Sequence, residues 1–251
     1  MATSALSREA AALERHLAAM GTTSRAAGAR AYLKSDLRFL GNDTASVRRV
    51  AREWRTTHAD WDIDQLCKLT VVLWARGVFE LRSFALMLLV KQATDLTPKH
   101  LPFLEQLLRN SHTWALVDEI APRLVGPLLI ANPRQVGRVL DRWATDRDFW
   151  MRRAALLALL LPMRRGEGDW DRFERYADPL LADREFFIRK AIGWLLREAG
   201  KHQAARVVTF IEPRATQLSG VTWREATRHL PPATRRRLDA RRRRAVAVER
   251  G

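Results

Sequence analysis

A chain of 251 residues with 47% hydrophobic and 29% charged residues has the balance of a folded globular protein, which excludes a disordered one. Its 44 Lys and Arg against 28 Asp and Glu leave a net charge of +16 and a pI of about 11.3. That excess fits a polyanionic partner, either nucleic acid or an anionic membrane face, and also fits a generic basic bias.

The elements read as helices from end to end. Leu6, Ala10, Leu13, Leu17 and Met20 fall at helical spacing over residues 4–20, and Gly21 stops the run. A short helix at 25–35 precedes a loop, Phe39 to Thr44, in which Asn42, Asp43 or Thr44 caps a helix at 45–57. Asp62 introduces a helix through Ala75, Gly77 separates it from 78–93, and Pro98 opens 98–109. Further helices are expected at 112–130, 133–145, 147–162, 169–181, 183–200, 202–212, 219–229 and 232–247. No stretch alternates with period two for long enough to make a strand. The reading is all-α.

Cys67 is the only cysteine, so there is no disulfide framework and no thiolate metal cluster. The six histidines (His16, His58, His100, His112, His202, His229) lack metal-ligand spacing, and no metal is expected. Neither a signal-peptide core nor an apolar run of about 20 residues is present, which points to a reducing, cytoplasmic setting.

An internal repeat is more informative. Asp146-Arg-Asp-Phe-Trp-Met-Arg-Arg-Ala-Ala aligns with Asp183-Arg-Glu-Phe-Phe-Ile-Arg-Lys-Ala-Ile at an offset of 37 residues. Steps of about 35 residues carry Arg153 back to Asp118 and then to Ser83. This period suits HEAT-like helix pairs stacked into a right-handed solenoid with a concave face. Ser83, Asp118, Arg153 and Lys190 would then form a row, with Trp114 one turn before Asp118 and Trp194 one turn after Lys190. An acid, two cations and two indoles along one row are hard to explain as packing.

These residues resemble the DNA alkylation repair family, the HEAT-repeat DNA glycosylases of the AlkD type. The similarity runs from about Tyr32 through Phe210. It rests on Tyr32-Leu-Lys, Phe39-Leu-Gly, Glu80-Leu-Arg-Ser-Phe-Ala-Leu, Trp114-Ala-Leu-Val-Asp118, Trp150-Met-Arg-Arg153 and Phe186-Phe-Ile-Arg-Lys-Ala-Ile-Gly-Trp194-Leu-Leu-Arg197. The resemblance implies that Asp118, Trp114 and Trp194 line a DNA-facing cleft and that Arg153 faces a phosphate near the lesion. The sequence departs from the family pattern at His112, Thr113 and Ala115. The last two stand where a further Trp and an Asp are often found, which bears on lesion range and activity.

The activity so implied is hydrolysis of the N-glycosidic bond of N3- or N7-alkylated purines in duplex DNA, without a base-flipping pocket. Asp118 would stabilise an oxocarbenium-like sugar and orient water, while Trp114 and Trp194 face the cationic lesion. Arg152, Arg153, Arg189, Lys190 and Arg197 are the candidate phosphate contacts. No cofactor is called for, and a monomer is expected because the concave face must stay open. The expected organisation is a repeat domain, 1–220, and an Arg-rich extension, 221–251, with ten Arg against three acids. That extension reads either as a nonspecific duplex-binding element or as a solvated terminal helix. Two other functions stay open: a noncatalytic relative that binds damaged or bent DNA, and a scaffold for an acidic protein.

Overall fold

The computed structural model describes residues 3–250, which are helical apart from turns, loops and one isolated bridge between Arg38 and Val78. The all-α expectation holds. The chain forms two compact units that divide after Pro133. The first carries α1 (Thr3–Met20), α2 (Thr23–Leu33), α3 (Thr44–Thr57), α4 (Ile63–Ala75), α5 (Phe79–Lys91), α6 (Leu101–Arg109), α7 (Trp114–Ile120) and α8 (Gly126–Ala131). In the second are α9 (Pro133–Trp143), α10 (Phe149–Leu157), α11 (Leu160–Arg165), α12 (Trp170–Leu180), α13 (Phe186–Ala199), α14 (Ala204–Ile211), α15 (Gly220–Ala226) and α16 (Pro232–Arg250). No described helix is long and apolar enough to cross a membrane.

Helix starts in the first unit follow their capping residues. Asp43 accepts from the Ser46 N–H at 2.7 Å, and Asp62 forms a reciprocal capping box with Gln65. The α4–α5 layer buries Leu66, Leu69, Leu73, Leu81, Phe84 and Leu88, each worth roughly 1.5–3 kcal/mol removed from water. Glu80 is 1% exposed, and its carboxylate accepts the N–H groups of Leu40, Gly41 and Asn42 at 3.0, 2.7 and 3.3 Å. It clamps the loop before α3. Gly41 has φ +85° there, and a Cβ would lie 2.0 Å from the Thr22 carbonyl oxygen, so only glycine fits. Arg82, also buried, donates to the Trp74 and Asn110 carbonyls, and burial draws its pKa down to about 10. The charges of Glu80-Leu-Arg-Ser are therefore structural, while Ser83 beside them is part-exposed.

The stretch expected as one helix at 112–130 is three pieces. Pro122 has no N–H to return to the Asp118 carbonyl, and its ring would clash there in an α-helix. The backbone widens into a π-turn, Ala121–Val125, closed by the Gly126 N–H on the Ala121 carbonyl, before α8 resumes. The helix expected at 147–162 likewise breaks at Ala158–Leu159, where Pro162 removes the donor to the Ala158 carbonyl.

In the second unit the 37-residue repeat appears as repeated hydrogen bonds. Asp146 accepts the Asp148 N–H at 2.9 Å, and Asp183 accepts the Glu185 N–H at 2.9 Å. Arg152 donates to the Asp146 carbonyl at 2.8 Å, and Arg189, its counterpart, donates to the Asp183 carbonyl at 2.8 Å. Each turn is thus tied down by its own arginine. α15 packs on α13 at backbone distance: a Cβ on Gly193 would lie 2.8 Å from the Glu225 Cβ and 3.1 Å from the Thr222 Cα. Thr222 and Trp223 are buried in that packing, so the Arg-rich run that follows is carried by α16.

Candidate nucleic-acid interface

Four helices share a register. α5, α7, α10 and α13 begin on Phe79, Trp114, Phe149 and Phe186, and each has a polar residue four positions on: Ser83, Asp118, Arg153 and Lys190. In a helix, positions i and i+4 lie on one face. The aromatic start recurs, and the side chain above it changes from hydroxyl to carboxylate to cation.

On α7 the pair is an indole and a carboxylate, and both residues are half-buried. Trp114 meets the ring of Tyr32 edge-on, with centroids 5.6 Å apart and planes at 79°. Tyr32 is 72% exposed, so a large aromatic surface at the end of α2 adjoins Trp114. Thr113 caps the helix: its Oγ accepts the Ala115 N–H at 3.4 Å and donates to the Leu33 carbonyl at 3.5 Å. A Trp at 113 could not make that cap, which gives the departure from the family pattern a local reason. His112 has a positive φ of 58° and pairs with Asp36 at 3.0 Å.

The candidates in the second unit sort by how much of each is already engaged. Arg153 is 2% exposed, donates to the Phe187 carbonyl and places its guanidinium carbon 5.7 Å from the Phe187 ring centre. Arg152 is held by Asp183 at 2.9 Å as well as by backbone carbonyls. Arg189 is part-exposed, and Arg197 pairs with Glu225 and with Glu198. Lys190 is exposed, its Nζ 5.8 Å from the ring of Phe186, itself 53% exposed. Trp194, one turn on, is half-buried, and its indole N–H has no hydrogen-bond partner among the described residues.

Sequence reasoning missed a cleft of about 380 Å³ in the first unit between α3, α5 and α7. Arg48, Lys91 and Arg123 stand around it, with Ser83 and Glu119 on its walls. Asn42 lines it too, and neither polar atom of its amide has a partner among the described residues. No three His, Cys, Asp or Glu side chains among the described residues are grouped as a metal site requires.

Comparison with known proteins gives the chain's family and fold. The model of one family, described as DNA alkylation repair enzyme, matches residues 13–230. A solved structure described as a predicted DNA alkylation repair enzyme from Enterococcus faecalis superposes with a TM-score of 0.74 at 21% identity. The match covers 84% of this chain and 97% of that one. AlkD2 from Streptococcus mutans superposes with a TM-score of 0.55 at 17% identity, over 75% of this chain and 91% of its own. None of the curated protein sequences matches. The two structural likenesses concern the helical fold.

Proposed function

The chain belongs to the DNA alkylation repair enzyme family, and from that premise we propose that it is a monofunctional DNA glycosylase for cationic alkylated purines of the N3-methyladenine and N7-methylguanine type. The observation that carries the reading is the α7 pair, a half-buried indole one turn from a half-buried carboxylate.

The chemistry suits that pair. In an N3- or N7-alkylated purine the leaving base already bears a positive charge. When the C1′–N bond breaks, its electrons neutralise the base, and positive charge develops on the sugar as an oxocarbenium ion. A fixed carboxylate stabilises that charge and orients the water that attacks C1′; the water then loses a proton, leaving an abasic sugar. Asp118 has this role. The negative π-faces of Trp114 and Trp194 attract a cationic lesion, each contact being worth roughly 0.5–2 kcal/mol, and discriminate against neutral bases. No nucleophilic lysine is required, so the strand stays intact.

Duplex phosphates supply the binding energy. Lys190 is the exposed cation, and Arg152, Arg189 and Arg197 contribute the guanidinium N–H groups their structural bonds leave free. Arg153, buried as it is, contributes its field more than a direct contact. The enzyme acts as a monomer on double-stranded DNA and needs no cofactor. Release of free base from duplexes carrying N7-methylguanine or N3-methyladenine tests the reading. Wild type should release base, and Asp118→Asn should lose on the order of 10²–10³ in rate while still binding duplex. Tight, salt-sensitive duplex binding by a wild type that releases no base would move the protein to the noncatalytic DNA-binding reading.

A further inference from the structure

The family match ends at residue 230, and α16 begins at Pro232. This helix therefore lies outside the matched region, and it carries most of the Arg-rich run. We propose that α16 is a second, lesion-independent DNA-binding element whose phosphate contacts are Arg236, Arg243 and Arg244. The identity of its partner rests on the DNA reading above; the partition of its arginines does not.

The arginines divide by face. Leu238 is 1% exposed and seats α16 on the second unit. Asp239 accepts the indole N–H of Trp223 at 2.6 Å, and Arg242 lies over the same indole, 4.7 Å from the ring centre. Arg242 also donates to the Leu218 carbonyl at 2.6 Å. Arg237 and Arg241 both reach Glu212, the second at 2.7 Å. Seating the helix thus consumes three of its arginines, and Arg235 stands 3.9 Å from Asp239.

Arg236, Arg243 and Arg244 have no acidic partner among the described residues, and all three are exposed. At 3.6 residues per turn they lie about 120° to 160° around the helix from Leu238, on the outer side. Arg236 and Arg243 are about 10 Å apart along the axis at 1.5 Å per residue. Over such a length duplex DNA presents roughly six phosphates. A helix anchored along one side with three unneutralised guanidinium groups along the other has the form of a backbone reader. An anionic membrane is the poorer fit: a helix lying in a lipid interface needs large apolar residues to bury there, and Leu238 is already used against the protein.

The test is the salt dependence of binding to an undamaged duplex by the full-length protein. The triple variant R236E/R243E/R244E should reduce the slope of log affinity against log salt by about 2 to 3, at roughly 0.9 per phosphate contact. Its lysine equivalent, R236K/R243K/R244K, should keep the wild-type slope. Unchanged far-ultraviolet circular dichroism and thermal midpoint show that the variants are folded. A control with the same change in charge on α9, R134E/R138E/R142E, separates local contact from net charge. An unchanged slope in the glutamate triple overturns the proposal, as does an equal fall in the α9 control. Phosphatidylcholine–phosphatidylserine vesicles form the last arm, and binding that the glutamate triple abolishes there, with its duplex slope intact, assigns α16 to membranes instead. No base release is measured, so failure of the glycosylase reading leaves this result standing.

Discussion

Helices α7 and α13 start in the same way and diverge above their first turn. Each opens on an aromatic ring with a polar side chain four residues later. On α7 that side chain is Asp118, half-buried beside an indole; on α13 it is Lys190, exposed beside a phenyl ring. The equivalent Arg153 of α10 is instead buried and turned onto the Phe187 backbone. Meanwhile the residues kept at repeat spacing, Asp146 with Asp183 and Arg152 with Arg189, tie the turns of the second unit together. What recurs builds the repeat. Function is better sought where a fixed position changes its chemistry.

Three substitutions, besides the Asp118 variant with its larger expected loss, test that division. Arg153→Met should act on stability first, because the Phe187 carbonyl loses its buried donor; the cost is about 1–3 kcal/mol in urea unfolding. A purely catalytic defect at full stability would contradict the structural assignment. Trp114→Phe gives α7 the ring that α10 and α13 already have. Because Phe keeps a weaker π-face, base release should slow by only part of the roughly thirtyfold that about 2 kcal/mol of cation–π attraction represents, with unfolding little changed. If instead the rate holds and stability falls, Trp114 belongs with the packing residues.

The smallest effect concerns Glu198, a buried carboxylate near the end of α13. Burial pushes its carboxyl up, but Lys201 and Arg164, at 2.7 and 2.9 Å, together bring it below its ordinary value of 4.5. A carboxylate depressed by folding adds stability above its unfolded pKa, and the gain disappears as pH falls through the folded value. Glu198→Gln should therefore lower stability at neutral pH and flatten the acid side of the pH–stability curve below about pH 4.5. A parallel offset at all pH values would mean that the pair is not what titrates.

Much of this was legible in the chain. Capping residues marked the starts of α3 and α4, and the Asp146 and Asp183 segments announced their repeat because identical turns need identical residues. Other features leave little trace. The turn-locking bonds of Arg152 and Arg189 go to backbone carbonyls, which every residue has, so a phosphate-binding arginine and a turn-locking one look alike in sequence. Glu80 was read within a family motif, but its three acceptor contacts depend on a loop 38 to 40 residues away. Pro122 was visible, yet its outcome was not, because a proline can end a helix or widen it. Thr113 looked like a loss relative to the family pattern and turned out to hold the start of α7.

The π-turn after Asp118 bears on how this region can evolve. Such a turn is a helix holding one residue more than an α-turn, so its phase is set by that surplus. Ahead of it, α7 carries Trp114 and Asp118; at its end and just beyond, Leu124, Val125 and Leu128 are each at most 2% exposed in the core. Removing a single residue between them would restore a uniform helix but rotate one set by about 100° relative to the other. Insertions and deletions, ordinarily the tolerated currency of loops, are therefore barred from this short segment, while its point substitutions remain open. Divergence in this part of the molecule should then proceed by exchange of side chains at constant length.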